Sequence, residues 1–366
     1  VNLSIIGTGL IGGSIGLAAR KRGLAESVVG FDLDPAQVSK ALSRGAISLT
    51  SANLQEAASE ADIVFVATPV GAIPGVVGDI SPDLPHGCVV SDVGSTKQRI
   101  VSEALGAAAG SIHFIGGHPI AGSEREGIDA AEADLFEGAY WILTPTSDTD
   151  ASAYKTLVAF VSAIGAKVIS LDPSRHDELM ALTSHLPQML ASALMVFAAT
   201  ASDQKEGLPL ITAGGFRDMT RIAASSSDLW LDILQDNREA ILDVLAGFGS
   251  ALGAAENYLR EKNWDQLRLL LERASASRKA LPGKPGVSPE QLVELTFPIP
   301  DRPGVLSEVT TAVGEAGVNI EDIDIVHSPE GGRGTLHLTV SGSSEAKLAQ
   351  KALELKGYTA RIIEQH

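Results

Sequence analysis

The chain has 366 residues, enough for two or three domains at about 150 residues each. With 45% apolar and 20% charged residues it has the balance of a folded globular protein. Its formal charge of −17 repels polyanions and anionic bilayers, so neither nucleic acid nor a membrane surface is an expected partner, and an anionic substrate needs positive residues placed locally.

Residues 1–171 alternate short apolar runs (3–6, 28–31, 63–67, 88–90, 113–115, 140–143 and 167–171) with amphipathic segments such as 13–22, 35–44 and 97–108. Strands buried on both faces read as continuous apolar runs, so this α/β pattern predicts a mostly parallel, doubly wound Rossmann-type sheet. The one cysteine, Cys88, lies inside the run GCVVSDV and reads as core. Over 172–281 strand signals give way to Ala/Leu-rich stretches with apolar residues at helical spacing, among them Ile241, Leu242, Leu245, Phe248 and Leu252. A segment as apolar as ALMVFAA (193–199) needs cover on several sides, which a homodimer interface would supply. LPGKPGVSPE (281–290) is a linker. Beyond it, 291–366 reads strand, helix, strand, a Gly331-Gly332 turn, strand, helix, strand: the ferredoxin-like βαββαβ order. No apolar run approaches the ~18 residues of a membrane span, and the opening VNLSII has no basic leader, so a cytoplasmic protein is expected.

Gly7-Thr8-Gly9-Leu10-Ile11-Gly12 follows the first strand and opens the first helix. Gly7 permits the turn, Gly9 the approach of a pyrophosphate, and Gly12 close helix–strand packing, while the helix N-terminus faces the phosphates. Asp32 ends the second strand, 20 residues beyond Gly12, with no Arg or Lys between it and Ser39. A carboxylate there bonds ribose hydroxyls and repels a 2′-phosphate, so NAD is favoured over NADP. Asp34, followed by Pro35, is the better candidate for a helix cap. Thr68 and Pro69, after DIVFVA, fall at the carboxyl edge of the sheet, where ligands sit.

Three further segments are rich in reactive groups. SDVGSTK (91–97) offers Ser95 or Thr96 as the N-cap of the helix that follows. In GGHPIAGSE (116–124), His118 stands between Gly-Gly and Pro after a strand, with its backbone exposed and its imidazole free to face a ligand. Ser123 with Glu126 fits a capping box, and Glu124 is open between a solvated carboxylate and a gate at the site mouth. SHLPQ (184–188) places His185 and Gln188 on one helical face. GGFRDMTR (214–221) packs two cations and a carboxylate together. Arg221 can pair with Asp218, and Arg217 and Arg221 are also the obvious receivers for substrate carboxylates in so acidic a chain. No metal is expected.

GTGLIGG, SDVGSTK, GGHPIAGSE, SHLPQ and GGFRDMTRIA, in this order over residues 1 to about 280, resemble the prephenate/arogenate dehydrogenase family of tyrosine biosynthesis. The resemblance implies NAD-dependent oxidative decarboxylation of prephenate to 4-hydroxyphenylpyruvate, or alternatively of arogenate to tyrosine, in a dimer built by the helical domain. It implies that His118 accepts the proton of the C4 hydroxyl and that Ser95 orients it. Arg221 would hold a carboxylate and Glu124 gate entry, with His185 matching the family's motif histidine. Gln188 stands where the family often has a second histidine, and it keeps hydrogen bonding to the substrate side chain but cannot carry charge. A β-hydroxyacid dehydrogenase shares the domain order but uses a catalytic lysine in its helical domain, and GGHPIAG has no role in that chemistry. A regulator that binds DNA would need a basic patch that is not seen.

Residues 291–366 resemble the ACT domain, a ligand-sensing module. Asp301-Arg302-Pro303-Gly304 is its signature turn, and Asn319 sits where such domains contact an amino acid. Some such modules carry a more polar residue where Ile299 stands. The resemblance makes L-tyrosine the expected effector, bound near Asp301, Gly304 and Asn319.

Overall fold

The computed structural model describes residues 1–108, 112–122, 125–202, 214–281, 292–300, 302–327 and 333–363. Strand β1 (Asn2–Ile6) leads into α1 (Leu10–Lys21). Next come β2 (Ser27–Phe31), α2 (Pro35–Ser43), β3 (Leu49–Thr50), α3 (Leu54–Ala58), β4 (Ile63–Val66) and α4 (Ile73–Ile80). After these follow β5 (Val89–Asp92), α5 (Gln98–Ala107), β6 (His113–Ile120), β7 (Tyr140–Thr144), α6 (Ala151–Ala163) and β8 (Lys167–Ser170). They build one eight-stranded sheet of order β3-β2-β1-β4-β5-β6-β7-β8. Every predicted strand of this region is present; the two-residue β3 was too short to leave a pattern.

Strand alternation explains the double winding. In β4 every residue is buried, yet Ile63 and Phe65 join one core with α1 and α6, while Val64 and Val66 join the other with α4 and α5. All pairings are parallel except β6 with β7. The first half of β6 pairs with β5 through His113, Phe114 and Ile115. Its second half pairs antiparallel with β7, placing His118 opposite Ile142. GGHPI is therefore a continuation of the strand rather than the exposed segment after it that was expected, and it carries His118 past the end of β5.

Helix α7 (Pro173–Met180) starts on Asp172, whose carboxylate accepts from Ser174 N at 2.9 Å, and Pro173 fills a first-turn position. A π-helical turn, Ala181–His185, joins it to α8 (Leu186–Ser202), so the helix runs unbroken. Then come α9 (Gly214–Thr220), a 3₁₀ turn Arg221–Ala224, α10 (Ser227–Asp236) and α11 (Arg238–Arg260). Met195, Val196 and Phe197 of α8 and Leu242, Phe248 and Leu252 of α11 are exposed on the single chain. The stretch Pro173–Ala201 is long and apolar enough to cross a membrane by length and composition, although no uninterrupted apolar run extends over it. Its polar residues His176, Asp177, His185 and Gln188 are nevertheless buried within the protein.

The chain divides into two compact units, 1–254 and 255–366. The second holds the end of α11, α12 (Trp264–Ala280) and a small α/β fold. That fold comprises β9 (Leu292–Pro300), α13 (Val305–Glu315), β10 (Ile320–His327), β11 (Arg333–Ser341), α14 (Ser343–Leu355) and β12 (Arg361–Ile363). The antiparallel sheet runs β10-β11-β9-β12, and Leu295, Phe297, Leu336, Leu338 and Val340 meet Val309, Val313, Ala349 and Leu353 of the helices in its core. The βαββαβ order is as expected; the Gly331-Gly332 turn and residues 282–291 of the linker region lie outside the described residues.

Two glycines at the β1–α1 junction separate packing from open space. A Cβ on Gly12 would stand 2.0 Å from the Gly7 carbonyl oxygen, whereas one on Gly9 would meet nothing within 4 Å. Gly12→Ala should lower unfolding free energy by about 1–3 kcal/mol and Gly9→Ala by no more than about 0.5 kcal/mol. Denaturant melts of both variants check this, and equal losses would contradict the packing argument.

Candidate active site

The nucleotide end is built at the carboxyl edges of β1 and β4, where the strand order reverses. Gly7, at φ +97°, turns the chain against Ala67, where a Cβ would lie 2.3 Å from the carbonyl oxygen. Helix α1 begins at Leu10 and Ile11 with Gly9 as N-cap and no side-chain cap, so no side chain competes with a phosphate at its first turn. Asp32 Oδ2 accepts from Thr8 N at 2.7 Å and Oδ1 from Asp34 N at 3.0 Å. The carboxylate is thereby fixed beside the glycine loop with lone-pair capacity remaining on Oδ1. Asp34 caps α2, accepting from Ala36 N at 2.9 Å, as its sequence position suggested. Thr68 Oγ1 is buried without a protein partner, and Pro69 next to it is exposed. An uncapped helix start, a fixed carboxylate and an orphaned hydroxyl at one sheet edge suit a dinucleotide.

The edge of β5 and β6 carries the reactive groups. Asp92 closes β5: Oδ1 accepts from Gly117 N at 3.0 Å and Oδ2 from Gly94 N at 2.8 Å, while Lys97 Nζ forms an ion pair with Oδ2. Both side chains of that pair are fully buried. Burial pushes the Lys97 ammonium down from its usual range, opposed by Asp92, Asp177 and Asp236. Ser95 is half-buried in this turn, but neither it nor Thr96 caps α5. The cap comes from α7: Asp177 accepts from Lys97 N at 2.7 Å and from Gln98 N at 2.9 Å. Thr96 bonds Asp236 instead, and Arg99 pairs with the same carboxylate.

His118 is half-buried, and its Nδ1 lies 2.8 Å from Nε2 of His176, whose own Nδ1 lies 2.7 Å from Asp177 Oδ1. Burial, followed by the nearby His176, Lys97 and His185, holds the His118 pKa well below the ordinary histidine value. A neutral base suits that position.

His185 closes the π turn and is buried, its ring edge-on to Trp230 at 6.0 Å. Asn237 Nδ2 donates to the Asp177 carbonyl at 2.8 Å and to His185 Nδ1 at 3.1 Å. Nδ1 is then the acceptor and the ring proton sits on Nε2. Burial first, with His176 adding, lowers the His185 pKa to about 4, against the pull of Asp177. Gln188, one helical turn on, is buried with Oε1 unpartnered. Arg217 on α9 and Arg221 in the following turn are exposed. Glu124 lies outside the described residues.

Four site residues were missed by sequence reasoning: His176, Asp177, Asn237 and the buried Lys97. The dipeptide His176-Asp177, one turn after a proline-started helix, was a legible signal. Asn237 had none, because its role comes from packing between α10 and α11.

In the second unit a cavity of about 440 Å³ is lined by Ile299, Arg302, Pro303, Gly304, Val305 and Ile325, among others. Gly304, at φ +89°, is the N-cap of α13. Asn319 is not part of this lining; it donates to Glu321 at 2.8 Å. Asp301 lies outside the described residues.

Three family models match along the chain. They are the prephenate dehydrogenase nucleotide-binding domain (residues 15–170), the prephenate dehydrogenase dimerization domain (172–273) and the ACT domain (295–355). The prephenate dehydrogenase of Bacillus subtilis is 31% identical over 353 residues, covering 96% of this chain and 95% of that one. Among solved structures, the prephenate dehydrogenase of Aquifex aeolicus in complex with hydroxyphenyl propionate and NAD+ superposes with a TM-score of 0.72 at 30% identity. It covers 76% of this chain and 96% of its own. The arogenate dehydrogenase of Synechocystis superposes at 0.67 with 30% identity, over 76% of this chain and 99% of that one. An identity sustained through nearly the full length of both chains, on a sheet and helical region of the same construction, shows that the chain belongs to the prephenate dehydrogenase family.

Proposed function

We propose that the chain catalyses NAD-dependent oxidative decarboxylation of prephenate in the cytoplasm as a homodimer, with His118 as the proton acceptor. The observation that carries this reading is a half-buried histidine on β6, its Nδ1 2.8 Å from His176 Nε2, at the sheet edge that also holds the glycine cradle. Bound NAD would supply the hydride acceptor for C4, held by Gly7, Gly9, Leu10, Ile11, Gly12, Asp32, Thr68 and Pro69. His118 takes the C4 hydroxyl proton as the C4–H bond breaks. It returns that proton to the phenol oxygen once the ring carboxylate has left as CO₂. Ser95 orients His118 and contacts the nicotinamide or the hydroxyl. His185 offers an uncharged N–H donor through Nε2, and Gln188 a hydrogen-bonding amide, to the substrate. Arg221, with Arg217, receives carboxylate, and Glu124 gates entry. The exposed apolar faces of α8 and α11 fit the matched dimerization domain. The proposed division is a dinucleotide-binding domain (1–171), a helical substrate and dimerisation domain (172–281) and an ACT domain (291–366).

Arogenate is the second reading, favoured by the likeness to the Synechocystis enzyme. NADH production with each substrate in parallel decides between them; a higher kcat/KM for arogenate would overturn the prephenate assignment.

His118→Asn should cut kcat by ~10²–10⁴ with little change in NAD binding. Because the His118 pKa is depressed, its basic form persists as pH falls. The acid limb of kcat/KM, which reports the free enzyme, should therefore lie below the ordinary histidine value of 6.5. A limb at or above that value, or an Asn variant near the parent rate, removes His118 from the role.

Asp32 selects NAD in this reading. Parent kcat/KM should be well above that with NADP, and Asp32→Ser should narrow the gap. Equal use of both cofactors by the parent would sink the assignment.

L-tyrosine, sensed through the cavity at Gly304, is the proposed effector. An inhibitor bound there acts only by differential affinity for active and inactive arrangements. Truncation after residue 285 should leave a soluble, active enzyme that tyrosine no longer regulates. Equal inhibition of full-length and truncated forms would move the effect to the catalytic pocket.

A further inference from the structure

A histidine can serve as a base through only one of its two ring nitrogens, and the other must carry the proton when the ring is neutral. Which nitrogen is basic is therefore set by the neighbour of the other one. For His118 that neighbour is His176, fully buried on α7, with its Nε2 2.8 Å from His118 Nδ1. His176 in turn lies with Nδ1 2.7 Å from Asp177 Oδ1.

The direction of each hydrogen bond follows from the far end. Asp177 Oδ1 and Oδ2 already accept the Lys97 and Gln98 backbone N–H groups, so this carboxylate is an acceptor at the start of α5. His176 must then donate from Nδ1. A neutral His176 with its proton on Nδ1 presents a lone pair at Nε2. The group against that lone pair, at 2.8 Å, is then the Nδ1–H of His118. The remaining nitrogen of His118, Nε2, is left with the free lone pair.

We propose that His176 is a positioning residue for the reaction, which accepts the Nδ1–H of His118 and so confines the basic lone pair of His118 to Nε2. Asp177 and His176 order the His118 ring without themselves touching substrate. It also sets the ring plane, since an imidazole bonded at one nitrogen loses its freedom to flip. The inference rests on the reading of His118 as the proton acceptor.

The arrangement has a counterpart on the other side of Asp177. There the backbone carbonyl, through Asn237, leaves His185 protonated on Nε2. One acidic residue thus supports an acceptor at His118 and a donor at His185, and the two neutral rings do not compete for the same role.

Two substitutions at His176 separate the proposal from a packing role. In His176→Asn the amide overlays the Nδ1 side of the ring, so the bond to Asp177 can persist while the acceptor for His118 is lost. In His176→Gln the amide oxygen reaches the place of Nε2, so the acceptor for His118 is kept. With the full-length enzyme, His176→Asn should lower kcat by about ten- to a hundredfold while KM for prephenate and for NAD stay within about threefold. His176→Gln should recover most of the rate. Placed on a His118→Asn background, His176→Asn should lower kcat no further, because the group it positions is already gone. Equal kcat in the Asn and Gln variants, or an undiminished effect of His176→Asn on the His118→Asn background, would overturn the proposal. The outcome for the base is read separately: an active His118→Asn enzyme defeats the assignment of the base, whereas an inactive one beside a fully active His176→Asn enzyme defeats the positioning role alone.

Discussion

The carboxylate of Asp177 is the constraint on which the site depends. It is almost wholly removed from water, and a buried charge is tolerated only when its acceptor capacity is filled. Three donors fill it: two backbone N–H groups at the start of α5 and the ring of His176. Those bonds tie the helical region to the α/β sheet at the strand edge where His118 stands. Asp236 repeats the device a short distance away, bonding Thr96 and Arg99 from the end of α10. The first turn of α5 is thus held by two aspartates that lie 80 and 140 residues from their partners.

The electrostatics of the site follow from that packing. A chain with a formal charge of −17 places one ammonium, Lys97, fully inside the protein and matches it to Asp92. Removing either partner would leave an uncompensated buried charge, at a cost of roughly 3–5 kcal/mol. The same ammonium discourages a proton on His118, and burial does more in the same direction. His185 is kept neutral by its own burial. Neutral rings can give or accept hydrogen bonds without adding charge to the interior, and Arg217 on α9 and Arg221 in the turn after it are exposed.

Much of this was legible in the residues alone. Continuous apolar runs fixed the strands because a strand covered on both faces has no polar side to present, and the alternation within β4 divides one run between two cores. The glycine spacing after β1, the Asp34 cap and the βαββαβ order were equally plain, since each rests on contacts within a few residues or on a short period. GGHPI read as an exposed segment beyond the strand because its glycines and proline disfavour strand by local preference. Pairing with β7 overrides that preference and draws the segment into the sheet.

Sequence by itself determined the layered architecture, the glycine-rich turn after β1 and the place of a histidine within GGHPI, because local periodicity, backbone freedom and side-chain chemistry are properties of neighbouring residues. Tertiary structure alone decided what surrounds that histidine. The cap of α5, the pairing of His176 with His118 and the orientation of His185 by Asn237 join segments separated by tens of residues. A hydrogen bond forms only where folding brings donor and acceptor within about 3 Å, and no short-range pattern in the chain encodes that meeting.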